Sequence, residues 1–136
     1  MDEDESLLRF GLRPVGAHLD EIRALLRERT ERERRAQGDG DTVLMKLCCI
    51  QLFNSGELDD TLLIWNAKRA SFDASCSIDI HLLLGRGLEA TKAYLSAHPS
   101  SAAAAALDRI REAERHGEFE GFSAEEYSAF WDTYYA

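Results

Sequence analysis

Cys76, Asp79 and His81 lie close enough in the sequence to suggest a nucleophile or a metal centre, because a thiolate needs a base beside it and a soft metal takes sulfur or imidazole ligands. The spacing works against both. At about 100° per residue a helix puts Cys76 and Asp79 on one face and turns His81 away from it, and no CxxC or HExxH pattern occurs elsewhere. The expectation is a structural cysteine and a surface histidine. Glu112 and His116 stand at i, i+4, the spacing of a metal pair or an acid/base couple. A histidine just before Gly117, however, suits a last turn, where its charge complements the helix dipole. Asp73, Asp79 and the Glu57-Leu-Asp-Asp60 cluster lack the glycine and the ligand spacing of a calcium loop. Gly85-Arg-Gly87 has neither a preceding strand nor the Lys-Ser/Thr of a phosphate loop and reads as a corner, and Lys68-Arg69 is too small for a nucleic-acid surface. No catalytic residue, metal or cofactor is expected, and the chain does not read as an enzyme.

The C-terminal segment offers a different chemistry. Seven of the twelve aromatic residues fall within its last 18 positions: Phe119, Phe122, Tyr127, Phe130, Trp131, Tyr134 and Tyr135. Glu118, Glu120, Glu125, Glu126 and Asp132 are set among them, and residues 117–136 contain no Lys or Arg. Rings as anchors and acids as steering charges are what a protein-binding surface uses. The candidate partner-binding residues are therefore Glu118, Glu120, Glu125, Glu126, Trp131 and Tyr135, joined by Glu57, Asp59 and Asp60. The alternative is that one face of a terminal helix packs on the core and the remaining rings are ordinary. Phe130 and Trp131 diverge by about 100°, so they cannot both lie at the centre of one narrow contact.

The overall charge points the same way. The chain of 136 residues carries 25 acids and 16 bases, a net −9, of which residues 41–136 hold 15 acids against 8 bases. Such a field repels phosphate backbones and attracts a basic protein, although acidity also serves solubility. The partner expected is a basic protein, with neither nucleic acid nor membrane as a target. No stretch approaches the ~18 apolar residues of a membrane span, and the acidic start Met1-Asp-Glu-Asp-Glu5 is unlike a secretory signal, so a cytoplasmic location is expected. The three cysteines, an odd number among apolar neighbours, read as reduced core residues.

The elements that must position these residues read as helices. Val15, Leu19, Ile22, Leu25 and Leu26 recur at three and four after Pro14, leading into the exposed, charge-paired run Arg27–Arg35, whose interleaved glutamates offset its arginines. Leu7, Leu8, Phe10 and Leu12 form a shorter turn before it. Asp41 caps a helix that is apolar on nearly all faces through Leu52, the expected centre of the domain. Further helices start near 59, 73, 87 and 101, the last of them alanine-rich. Residues 75–82 alternate with a period of two and admit a strand, though a lone strand would have no partner, so helix is the expectation. Ser123-Ala-Glu-Glu126 is a capping box opening the terminal helix. The sum is one all-α domain of six or seven short antiparallel helices, arranged as stacked hairpins or a HEAT-like bundle, with 1–40 as an N-terminal amphipathic region and 41–136 as the helical-hairpin core.

In size, charge and helical pattern, and in the stretch from Leu63-Ile-Trp65-Asn-Ala-Lys68 through Phe72-Asp-Ala-Ser-Cys76-Ser-Ile-Asp79 to Gly85-Arg-Gly-Leu88-Glu-Ala-Thr-Lys92, the chain resembles the small acidic immunity proteins that bacteria pair with polymorphic toxins. The resemblance implies binding to a basic toxin domain and occlusion of its active site. Immunity proteins share no single fold, so it transfers no functional residue. A helical adaptor that self-associates through its terminal aromatics is the second expectation, and an enzyme using Cys76 or His81 the last.

Overall fold

The computed structural model describes all residues, 1–136, and every regular element in it is helical. Eight α-helices follow one another: α1 (Glu3–Phe10), α2 (Ala17–Arg35), α3 (Thr42–Ser55), α4 (Thr61–Lys68), α5 (Phe72–Ser77), α6 (Leu88–Ala97), α7 (Ser101–Arg115) and α8 (Ala124–Tyr134). Short 3-10 turns at Leu58–Asp60 and Ile80–Leu83 precede α4 and follow α5. The all-α expectation holds, with eight helices rather than six or seven. Most of the start signals are caps: the side chains of Asp2, Asp41, Ser71, Ser100 and Ser123 each accept a bond from a backbone amide three residues on. At α8 only half of the capping box forms, since Ser123 Oγ accepts from the Glu126 amide at 3.1 Å while no return bond from Glu126 is made.

Helix α3 is the centre, as its composition demands. Leu44, Met45, Leu47, Cys48, Cys49, Ile50 and Leu52 are all at most 1% exposed, leaving Val43 and Lys46 on its outer face. Helices α1, α2, α5 and α8 pack around it, while α2 also meets α4, and α6 and α7 form a hairpin whose second helix packs on α4. Solenoid repeats touch only their neighbours in sequence. Here the last helix lies on the third, so the form adopted is a closed bundle. No helix is long and apolar enough to cross a membrane.

Four local expectations change. Residues 75–82 form neither one continuous helix nor a strand: α5 stops at Ser77, Ile78 and Asp79 are extended, and the 3-10 turn follows. The buried ammonium of Lys68 holds this corner, donating to the carbonyls of Ser75 at 2.7 Å and Ile78 at 2.6 Å. Burial lowers its pKa, against the opposing pull of Asp79. Cys76 is exposed, unlike Cys48 and Cys49, whose thiols burial pushes up, that of Cys48 to about 12. Val15 lies outside α2 and is 76% exposed, because the helix starts beyond Gly16. The charged end of α2 is not solvated all round either, since Glu33 is buried.

The corner after the second 3-10 turn lies directly on α3. A Cβ placed on Gly85 would sit 2.5 Å from the carbonyl oxygen of Phe53, and Arg86 Nε donates to the Gly56 carbonyl at 2.9 Å beside it. The obstacle is backbone, which cannot swing aside as a side chain tip can. Gly85→Ala is expected to destabilise the domain by about 2 kcal/mol, in the range of overpacking, measured by chemical denaturation. Wild-type stability in that variant would contradict so close an approach.

Candidate aromatic pocket on the terminal helix

Helix α8 projects its rings at the three- and four-residue spacing of one helical stripe. Trp131 is the anchor, 8% exposed, edge-on to Tyr127, Phe130 and Tyr134 with centroids 6.0, 4.9 and 5.1 Å away. The stripe runs from the buried side outward, leaving Phe130 55% and Tyr134 57% exposed. Lys46, on the outer face of α3, places Nζ 5.3 Å from the Trp131 ring centre and 5.0 Å from that of Tyr134. It makes no ion pair, so the ring quadrupoles are its electrostatic partners.

Between α3, the end of α5 and α8 lies an open pocket of about 530 Å³, walled by Phe122, Tyr127, Phe130 and Trp131 and edged by Lys46, Asp79 and Glu126. Two of its residues, Tyr127 and Asp79, belong to a polar chain set among rings. Tyr127 donates from its hydroxyl to Asp79 Oδ2 at 3.1 Å, and His81 Nδ1 approaches the same oxygen at 3.0 Å. The other histidine nitrogen, Nε2, lies 3.0 Å from the Glu118 carbonyl, and the imidazole stacks on Tyr127 and meets Phe119 edge-on. Burial, then the Asp79 carboxylate, raises the Tyr127 hydroxyl above its ordinary range, so it stays a donor. Neither imidazole nitrogen is bonded to Cys76. The groups that line the pocket are rings, one ammonium, two carboxylates and two serine hydroxyls. Nowhere do three or more His, Cys, Asp or Glu side chains gather as a metal would need.

Polar ties from the N-terminal region hold α8 in place. Arg13 grips Asp132 with both terminal nitrogens, at 2.7 and 3.0 Å, and donates to Ser128 Oγ at 2.8 Å. Its hydrogen bonds hold the Asp132 carboxyl below its usual range. Ser128 donates to Asn54 Oδ1 at 2.7 Å, and the Tyr135 hydroxyl donates to Glu3 Oε2 at 3.1 Å.

The sequence-nominated residues divide accordingly. Trp131 and Glu126 belong to the pocket, whereas Glu125 lies on the other flank of α8, in a groove with Arg13 and Asp132. Glu57 borders a neighbouring groove that shares Arg13 and Asn54 with it. Asp59 accepts a bond from the Tyr94 hydroxyl at 3.3 Å, and Glu118 sits 3.6 Å from Arg109. Glu120 is exposed and makes no ion pair, and Tyr135 is half-buried against Glu3. Asp60 is not a surface charge: it is 5% exposed and spends both oxygens on Arg23. The nominated acids therefore do not form one face. Lys46 and Asp79, both part of the pocket, escaped the sequence reading as binding residues, because each comes from an element remote in sequence; the lone cation on an otherwise apolar α3 was the one available signal. No protein-family model, no curated protein and no solved structure matches the chain.

Proposed function

We propose that the chain is a protein-binding module of the immunity type, which docks the α8 face against a basic toxin domain and occludes its active site. The observation that carries this reading is the pairing of more than half-exposed Phe130 and Tyr134 with the unpaired carboxylates of Glu125 and Glu126 on one helix. Exposed rings beside an anchored tryptophan supply the apolar centre of an interface, and carboxylates at the rim speed encounter with a cationic surface. The test is binding to the product of a toxin-like reading frame adjoining this gene. Phe130→Ala is expected to weaken the complex at least tenfold, and Glu125→Lys with Glu126→Lys to slow association steeply at low salt. A complex indifferent to salt and to charge reversal would refute the proposal.

The same exposed rings, with Val43 on α3 also 48% exposed, support self-association as the second reading. Sedimentation separates the two: a stable dimer that dissociates in Phe130→Ala favours the adaptor, and a strict monomer removes it.

A further inference from the structure

We propose that the pocket between α3 and α8 receives an arginine side chain of the protein partner, displacing Lys46, the chain's own cation, from the ring faces. This rests on the protein-binding reading above and names the chemistry of its central contact. The pocket is open and holds about 530 Å³, enough for an extended side chain together with part of its flanking backbone. One of its rings already takes a cation: Lys46 Nζ lies 5.3 Å from the centre of Trp131, and 5.0 Å from that of Tyr134, which does not line the pocket.

Charge selects the occupant. Two carboxylates, Asp79 and Glu126, edge the pocket against one ammonium, and Glu126 has no ion pair of its own. An anion would face both carboxylates. A purely apolar side chain would strip water from three charged groups without pairing them, which is unfavourable. A guanidinium stacks flat on rings and forks onto a carboxylate, two contacts that an ammonium cannot make together. Lys46 can leave, because its flexible stem stands on the exposed side of α3 and no hydrogen bond or carboxylate retains it.

The test uses the full chain and three probes: a tetra-arginine peptide, its neutral tetra-citrulline counterpart of the same shape, and tetra-lysine, followed by amide NMR shifts at fixed ionic strength. Tetra-arginine is expected to shift the amides of Lys46, Ser123, Glu126 and Phe130, to do so at least threefold more tightly than tetra-lysine, and citrulline to leave them unmoved. Lys46→Ala should tighten arginine binding at least threefold, and Glu126→Gln and Phe130→Ala, both at exposed positions, should each weaken it at least threefold. Equal binding of the citrulline peptide, weaker binding in Lys46→Ala, or shifts scattered over the acidic surface would overturn the proposal. If these fail while a cognate toxin domain still responds to charge reversal at Glu125, the pocket assignment falls and the protein-binding reading stands; if no cognate complex responds either, both fall.

Discussion

Arg23→Ala is expected to cost the fold about 4 kcal/mol, and Asp60→Ala about 3, both in the range for breaking a buried ion pair from one side. The pair is bidentate, Nε to Oδ1 at 2.8 Å and Nη2 to Oδ2 at 2.9 Å, and it ties the first third of α2 to the turn that opens α4. The asymmetry follows from what each partner keeps. Without Asp60, the guanidinium retains a 2.9 Å bond to Asp20 and a side chain 19% exposed to water. Without Arg23, the Asp60 carboxylate, 7% exposed, has no other donor. Thermal melts should place both variants at least ~10 °C below the wild type, with Arg23→Ala lower. The double variant Arg23→Met/Asp60→Leu should recover most of the loss, since an apolar pair of similar volume leaves no charge stranded. If the double variant is as unstable as the sum of the singles, the pair is not acting as a unit.

That pair also shows where the sequence is a poor guide. Asp60 stands in an acidic run, Glu57-Leu-Asp-Asp60, and local reading makes it a solvated charge. Its partner lies 37 positions away, on a helix whose charges looked self-cancelling. Helix starts were legible because a cap is local: Asp41, Ser100 and Ser123 each satisfy an amide three residues on. The aromatic stripe of α8 was legible for the same reason, being a repeat within one helix. The pocket was only half legible. Its rings come from 122–131, but Lys46 and Asp79 come from elements that meet α8 only after folding. The alternation at 75–82 misled in another way. It arises where Lys68 captures two carbonyls and interrupts the helix, a tertiary cause that no local period records.

Glu33 is the case in which a misread charge carries the largest structural role. It lies within the charged run Arg27–Arg35 yet is 1% exposed, with Oε1 accepting from the amides of Gly38 and Gly40, each at 3.0 Å, and Oε2 from the Ser71 hydroxyl at 2.6 Å. One carboxylate thereby joins the end of α2, the loop into α3 and the cap of α5. The loop reaches it because Gly40 presses on α2: a Cβ there would lie 2.5 Å from the Arg29 carbonyl oxygen. Glu33→Ala strands the Gly40 amide where water cannot follow and should cost about 3 kcal/mol or more. Glu33→Gln keeps the shape, since its oxygen can accept from the glycines while its amide group turns to Ser71 Oγ, and should cost about half as much.

The two variants also separate by pH. Burial pushes the Glu33 carboxyl up, but the Ser71 and glycine hydrogen bonds outweigh it and hold the pKa below its ordinary value. Between the two values the unfolded chain binds more protons than the folded one, so stability rises with pH across that window. The contribution is therefore whole above the unfolded value of about 4.3 and lost as the pH falls through the lower folded one. Glutamine does not titrate, so the stability gap between wild type and Glu33→Gln should narrow from pH 6 to pH 3, read as denaturation midpoints. A gap that stays constant over that range would mean that Glu33 binds protons equally in the folded and unfolded chains, and a gap that widens towards pH 3 would mean that the loop is bound by a neutral acid.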